Sequence, residues 1–296
     1  MASIASNLQA VRARIACAAQ AAGRQADAVE LVAVSKTFPA ASIEQAHAAG
    51  QHAFGENYAQ EAVKKITELA YLSPLLEWRV AQGRQENNRT RSDAIIPSAG
   101  VASPSPHSFP LSREERGSSS LPSPLGRRVG DEGLVPLLLP LEWHFIGPIQ
   151  SNKTGVIATH FQWAHSVERE KIAQRLNLAR PEGLPPLDVC IQVNVSGEAA
   201  KGGVKPGDEV QLADAIALLP RLRLRGLMAI PEPTSDTALQ RRRFARLREL
   251  KDQLAARGHA LDTLSMGMSD DLEAAIAEGA TMVRVGTAIF GKRRET

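Results

Sequence analysis

The chain has 296 residues, 43% of them hydrophobic, which is enough for a large core and is an ordinary length for a single α/β barrel. Its formal net charge is +3, and two of these charges come from eight arginines against six acids between Arg79 and Glu132, so a nucleic acid is not an expected partner. Because the sequence shows neither an apolar run long enough to cross a membrane nor a secretory signal, we expect a cytoplasmic protein without membrane contact.

Hydrophobic periodicity predicts one leading helix and then an alternation of strands and helices. The leading helix covers residues 3–22, with Ser3 as its expected N-cap. The predicted strands are 31–34, 53–57, 141–147, 161–167, 187–195, 222–230, 261–266 and 282–289, and a helix follows each of the first seven. Cys17 in the leading helix and Cys190 in the fifth strand lack Cys-x-x-Cys spacing and are expected to be buried thiols without a zinc or redox role.

The pattern is interrupted before the third strand. Residues from about 73 to 140 are rich in Ser, Pro, Gly and Arg and sustain no period of two or 3.6, which favours disorder. Leu76-Glu77-Trp78 recurs as Leu141-Glu142-Trp143, which is typical of the edges of an insertion, although so short a match also arises by chance. We therefore expect a single domain, residues 1–296, interrupted by a disordered insertion at about 73–140.

Eight strands alternating with helices are the number expected for a (β/α)8 TIM barrel. The alternative is a doubly wound open sheet. That alternative is weakened because no Gly-x-Gly-x-x-Gly follows the first strand.

The first predicted strand, Leu31-Val32-Ala33-Val34, leads through Ser35 to Lys36 at its carboxyl end. Four apolar residues in a row suit a parallel strand that is covered on both faces. Partial burial lowers the pKa of a lysine, and such an amine can form a Schiff base with an aldehyde. The alternative is a surface lysine that extends from the strand end into solvent.

In a barrel, the carboxyl ends of the strands share one face, and binding sites lie there. The loops after predicted strands seven and eight combine the hydroxyls of Ser269 and Thr287 with Gly267 and Gly286. Glycines permit close approach to the backbone, whose N–H groups donate to phosphate oxygens together with the hydroxyls. Each loop alone also fits an ordinary strand-to-helix turn. Together, and on the face that carries Lys36, they predict a phosphorylated carbonyl ligand.

Arg284 lies inside the apolar eighth strand, where an unpaired charge is costly. On the barrel side, its guanidinium could donate to a ring nitrogen or a carboxylate. Because arginine keeps its proton, a pyridine nitrogen that faces it stays unprotonated, and the ring becomes a weaker electron sink. The alternative is a structural ion pair with a neighbouring strand.

Several segments together resemble the pyridoxal phosphate homeostasis proteins. The segments are Ala33-Val34-Ser35-Lys36, Phe54-Gly55-Glu56-Asn57-Tyr58, Trp143-His144-Phe145-Ile146-Gly147-Pro148-Ile149-Gln150-Ser151-Asn152-Lys153, Gly226-Leu227-Met228, Leu264-Ser265-Met266-Gly267-Met268-Ser269-Asp270-Asp271 and Val283-Arg284-Val285-Gly286-Thr287-Ala288-Ile289-Phe290-Gly291. The resemblance covers the chain except for residues from about 73 to 140, a segment that typical members of that family lack.

The resemblance implies a barrel of the alanine-racemase N-terminal type that binds pyridoxal 5′-phosphate (PLP) without substantial catalysis. It implies that Lys36 carries PLP as a Schiff base and that Arg284 faces the pyridine nitrogen. The other implied contacts are Ser269, Gly286 and Thr287 at the phosphate and Asn57 and Met228 beside the ring, while Lys153 resembles a second lysine implicated in cofactor handling. The implied role is in intracellular PLP (vitamin B6) homeostasis, as a monomer, with PLP-dependent apo-enzymes as recipients.

Two other functions remain open at this point. A PLP-dependent amino-acid racemase would share the cofactor site, but it needs a second acid or base on the other ring face. The nearest candidate is His144, whose position on the third strand favours a packing or hydrogen-bonding role. A Schiff-base aldolase would need no cofactor, but the sequence shows no evident acid or base partner for Lys36.

Overall fold

The computed structural model describes residues 3–72, 140–198 and 201–291. Within them, eight parallel strands form a closed barrel in chain order, in which β8 pairs with β1. The strands are β1 (Glu30–Val34), β2 (Ala53–Glu56), β3 (Glu142–Phe145), β4 (Trp163–Val167), β5 (Leu187–Gln192), β6 (Leu222–Met228), β7 (Thr263–Ser265) and β8 (Met282–Val285). The predicted (β/α)8 barrel is confirmed, and closure of the sheet rules out the open alternative.

One helix precedes the barrel and one helix follows each strand. They are α1 (Ile4–Ala21), α2 (Ala40–Ala48), α3 (Ala59–Glu68), α4 (Thr154–His160), α5 (Glu170–Ala179), α6 (Glu209–Ala217), α7 (Thr237–Ala256), α8 (Leu272–Ala277) and α9 (Thr287–Phe290). Short 3₁₀ turns occupy Ala70–Leu72 and Ser151–Lys153. As predicted, Ser3 caps α1, because its side chain accepts a hydrogen bond from the Ser6 amide. None of the helices in the described part combines the length and hydrophobicity needed to cross a membrane.

The main core lies between the barrel and its helices. Its largest fully buried side chains include Phe54 and Trp143 on adjacent strands, Phe161 before β4 and Phe244 in α7. A second, smaller apolar cluster consists of Trp163, Cys190, Met228 and Met282, which come from β4, β5, β6 and β8. Successive side chains of a strand point to opposite faces, which separates the main core from the small cluster. Leu227, for example, belongs to the main core, and its neighbour Met228 belongs to the small cluster.

Two predictions about local structure are wrong. The eighth strand ends at Val285 and not at residue 289, because the chain turns at Gly286 and forms α9, whose Ile289 carbonyl accepts a hydrogen bond from Asn7 of α1. Cys17 is exposed, since it lies on the outer face of α1, whereas Cys190 is buried and burial raises the pKa of its thiol.

The predicted disordered insertion lies outside the described residues. The residues that flank it are described, and they are adjacent. The Leu141 amide donates to the Leu72 carbonyl at 2.8 Å, so the chain leaves and re-enters the barrel at one place.

Candidate functional site

A cavity of about 440 Å³ opens at the carboxyl ends of the strands. This volume is within the range of small-molecule sites. The residues that line it include Lys36 and Phe38 after β1, Asn57 after β2, Met268, Ser269 and Asp270 after β7, and Arg284, Gly286, Thr287 and Ala288 from β8 and α9. Six of the seven predicted binding residues therefore meet in one cavity.

Lys36 is half-buried, and its loop is held from both sides by buried polar groups. Before it, the Ser35 hydroxyl donates to Glu56 Oε1 at 2.7 Å. After it, the amide of Thr37 donates to Glu61 Oε1 at 2.6 Å. Thr37 has a φ of 67°, which is unusual for a β-branched residue. The carboxylate of Glu61 thus fixes a strained turn directly beside the lysine.

Lys65 of α3 joins these groups into one network. Its ammonium donates to the Ser35 carbonyl at 2.8 Å, to Glu56 Oε1 at 2.7 Å and to Glu61 Oε1 at 2.6 Å. Lys65 is only 5% exposed and Glu56 is fully buried, and desolvation raises the pKa of Glu56 although Lys65 and Ser35 oppose that shift. The network, which we call the Lys65 anchor, consists of Ser35, Glu56, Glu61 and Lys65. It determines where β1 ends and therefore where Lys36 points into the cavity.

Asn57 offers an unsatisfied acceptor at the cavity. Its Oδ1 is buried and has no hydrogen-bond partner among the described residues. Gly147, after β3, packs directly against it, since a Cβ at Gly147 would lie 2.3 Å from the Asn57 carbonyl oxygen. A ligand with a donor in this place would satisfy Oδ1.

The loops after β7 and β8, where the sequence predicts an anion site, both line the cavity. Gly267 has a φ of 96°, and the following amide, of Met268, donates to Asp271 Oδ1 at 2.6 Å, which closes a tight turn that contains Ser269. A cation also lines this side of the cavity, because Arg14 of α1 donates to the Ser269 carbonyl at 3.0 Å. Sequence analysis missed Arg14, and the polar face of the leading helix was the only signal for it.

Arg284 is buried at the floor of the cavity. One guanidinium nitrogen donates to Ser265 Oγ at 2.6 Å and another to the Ala229 carbonyl at 2.9 Å. Burial lowers the pKa of Arg284 to about 10, so the side chain still carries its charge at neutral pH. The part of the chain that the structure describes gives Arg284 no ion pair, which contradicts the alternative of a structural salt bridge.

Two buried histidines continue from Ser265 across the barrel interior. Ser265 Oγ lies 2.7 Å from His165 Nδ1, and His165 Nε2 lies 2.9 Å from His144 Nδ1. Burial lowers the pKa of His144 to about 4 and that of His165 well below its usual value, so both rings are neutral at pH 7. His144 also stacks on Trp163, with ring centroids 5.5 Å apart, and does not line the cavity. This position supports the packing or hydrogen-bonding role.

Two residues singled out in the sequence lie elsewhere. Met228 is fully buried in the small apolar cluster and is not among the residues that line the cavity. Lys153 is half-buried in the 3₁₀ turn before α4 and does not line the cavity either. The cofactor contacts predicted for these two side chains remain predictions.

The cavity thus combines a lysine amine, a buried cationic donor, an unsatisfied amide oxygen and a glycine- and hydroxyl-rich loop pair. These groups match the parts of a phosphorylated aldehyde built on a nitrogen heterocycle. The aldehyde suits the lysine, the ring nitrogen the arginine, and the phosphate the loop pair. The residues present therefore fit the ligand that the sequence predicts.

The chain is similar to known proteins over nearly its whole length. Residues 6–294 match the family described as "Alanine racemase, N-terminal domain". The chain is 51% identical over 293 residues to a "Pyridoxal phosphate homeostasis protein" of Pseudomonas aeruginosa, covering 99% of this chain and 97% of the relative. It is 42% identical over 290 residues to the protein of the same name from Escherichia coli K12, covering 98% and 97%. The solved structure of PipY of Synechococcus elongatus with PLP bound has a TM-score of 0.65 and 29% identity, covering 98% of this chain and 100% of PipY.

Proposed function

Because the chain belongs to the pyridoxal phosphate homeostasis proteins, within the alanine racemase N-terminal domain family, we propose that it binds PLP at the cavity and acts in PLP homeostasis. The observation that carries the proposal is the meeting of Lys36, Arg284 and the two glycine- and hydroxyl-containing loops in a single cavity. Lys36 and the two loops are far apart in sequence, and only closure of the barrel brings them together.

When bound, PLP supplies an aldehyde that an amine captures reversibly with loss of water. Lys36 provides the amine, and the Lys65 anchor keeps it at the end of β1. Ser269, Gly286 and Thr287 hold the phosphate, and Arg14, which forms an ion pair with Glu273, lies on that side. Asn57 places an acceptor beside the ring.

Arg284 makes the site suited to binding PLP and not to catalysis. Its guanidinium remains charged and donates toward the ring nitrogen, so that nitrogen stays unprotonated. An unprotonated ring withdraws electrons poorly, which disfavours removal of a substrate α-proton. The protein therefore holds PLP without efficient amino-acid turnover.

The composition of the cavity wall agrees with this role. Among the described residues that line it, the ionisable side chains besides two arginines are Lys36 and Asp270, and Asp270 is next to the phosphate-side Ser269. Racemisation requires a second acid or base on the ring face opposite Lys36. His144, the candidate from the sequence, lies in the barrel interior.

The test of binding is covalent trapping. The purified protein with PLP should absorb in the visible range, and borohydride followed by peptide mapping should label Lys36. Lys36→Ala should lose the absorbance and stay folded, because a half-buried strand-end lysine contributes little to the core. Lys64→Ala is the matched control, because Lys64 is exposed on α3 and does not line the cavity, and it should behave as wild type. A label confined to Lys153 would overturn the assignment.

The test of catalysis follows the chirality of alanine and serine at saturating PLP. We expect amino acids to perturb the spectrum while racemisation stays near background. Turnover on the order of 1–10³ s⁻¹ that Lys36→Ala abolishes would establish the racemase alternative instead. Transfer of PLP to apo-enzymes, the cytoplasmic location and the monomeric state remain predictions.

A further inference from the structure

The mouth of the barrel opposite the cavity carries a cluster of potential metal ligands. Glu30 begins β1, His52 immediately precedes β2, and Glu142 begins β3. These strands are neighbours, and the Glu142 amide donates to the His52 carbonyl at 2.9 Å, so the three side chains emerge side by side. One ligand atom from each lies within 4.8 Å of the other two.

Among the described residues, neither glutamate of the cluster forms an ion pair with an arginine, although Arg225 acts on Glu30 through its field. Two further carboxylates there are already paired, since Asp188 contacts Arg223 and Arg225 and Asp262 contacts Arg225 at 2.7 Å. Glu30 has only His52 as a close partner among the described residues, with His52 Nε2 3.6 Å from Glu30 Oε1. Glu142 contributes a second carboxylate, one oxygen of which lies within 4.8 Å of ligand atoms of Glu30 and His52. Two neighbouring carboxylates with an imidazole form a donor set that divalent cations bind.

An independent observation points to the same place from inside the barrel. His144 is fully buried, and its Nε2 has no hydrogen-bond partner among the residues that the structure describes. That nitrogen is directed at the cluster, 3.7 Å from Glu142 Oε1. The other ring nitrogen of His144 lies at hydrogen-bond distance from His165, which fixes the orientation of the ring. Trp163 Nε1 donates to Glu142 Oε1 at 2.5 Å and orients the carboxylate in the same way.

The spacing suits a small cation. Ligands at about 2.1 Å from a tetrahedral metal are about 3.4 Å from one another, close to the 3.6 Å between His52 and Glu30. The side chains of Glu30, His52 and Glu142 are 31%, 34% and 33% exposed, so they can close the remaining distance and admit water. Imidazole with carboxylates suits zinc better than magnesium, which prefers oxygen ligands alone.

We propose that Glu30, His52 and Glu142 bind a divalent cation of the zinc class, with water completing the coordination and the buried His144 beside Glu142. The site is separate from the PLP cavity and does not depend on the proposed function.

The test is calorimetric titration of the chelator-treated full-length protein with ZnCl₂, in the absence and presence of PLP. We expect one site in both cases, much weaker binding of MgCl₂, and about tenfold or greater loss of zinc affinity in His52→Gln and Glu142→Gln. His259→Gln is the matched control, because His259 forms another histidine–carboxylate pair, 2.9 Å from Asp214, on the outside of the barrel. It should bind as wild type.

A second measurement does not require substitution of the proposed metal-binding side chains. Paramagnetic Co²⁺ at the cluster should quench the fluorescence of Trp163, and zinc should displace it and restore the signal. Trp163→Phe should remove the quenched component. Three results would overturn the proposal: zinc binding that survives both His52→Gln and Glu142→Gln, loss of zinc binding in His259→Gln, or zinc binding that requires PLP.

Discussion

Replacement of Lys65 by methionine would test whether the Lys65 anchor supports the fold. Methionine keeps the length and apolar stem of the side chain and removes the ammonium, which donates three hydrogen bonds of 2.6–2.8 Å. Glu56 would then be a fully buried carboxylate whose one remaining side-chain hydrogen bond within the described residues comes from the Ser35 hydroxyl. Removal of one partner of a buried ion pair costs about 3–5 kcal/mol of unfolding free energy.

The same substitution predicts a pH dependence of stability. Desolvation already raises the pKa of Glu56, and loss of Lys65 removes the largest effect that opposes it. A folded-state pKa above the unfolded value means that stability is greatest below about pH 4.5 and is lost as the pH rises toward the folded pKa. Lys65→Met should therefore be closer to wild type at pH 5 than at pH 8.

Urea unfolding at both pH values measures the effect, and Lys64→Met is the matched control because Lys64 is the exposed neighbour on the same helix. We expect Lys64→Met to change the unfolding free energy by less than about 0.5 kcal/mol. Equal effects of the two substitutions, or a larger deficit of Lys65→Met at pH 5, would refute the reasoning. Because the anchor also holds the turn beside Lys36, borohydride labelling of Lys36 should be slower in Lys65→Met.

Two further predictions follow from the geometry of the backbone. A Cβ at Gly147 would meet the Asn57 carbonyl, so Gly147→Ala should weaken PLP binding by about tenfold or more. Gly155→Ala is the control and should leave PLP affinity unchanged, because a Cβ there meets nothing within 4 Å. Equal PLP affinities of the two variants in fluorescence titrations would contradict this prediction. Replacement of residues 73–139 by a linker of about four residues should leave PLP binding intact and raise the unfolding free energy by about 2 kcal/mol, if the segment is the flexible loop that the sequence predicts. A loss of binding in this variant would show that the segment contributes to the site.

The barrel and most of its candidate site could be predicted from the sequence. Short apolar runs with a polar residue at the carboxyl end identify strands that are buried on both faces. A barrel gathers those ends on one face, so the strand pattern alone brings Lys36, Arg284 and the loop with Ser269 together. The exact ends of the strands depend on tertiary contacts that the sequence pattern does not show. Gly286 stops β8 because the chain turns against Val34, a contact that is distant in sequence.

The residues that sequence analysis missed depend on tertiary packing. Lysine is rarely buried without a partner, and the carboxylate of Glu56 on β2 explains the burial of Lys65. The pairing of Glu61 with Lys65 at i, i+4 was a weak signal of this contact. Arg14 reaches the cavity because closure of the barrel sets α1 beside α8 and α9. Met228, predicted to lie beside the ring, belongs to the small apolar cluster, and its cofactor contact remains a prediction.

The neutral partners of Arg284 have an electrostatic consequence for ligand choice. A hydroxyl and a carbonyl hold the guanidinium in place, and neither cancels its charge. The cavity floor therefore carries a positive charge before any covalent bond forms, next to the carboxylates of Asp270 and Asp271. A phosphate ester interacts with Arg284 over a longer range than the unphosphorylated aldehyde does, and this part of the discrimination should weaken as added salt screens the field.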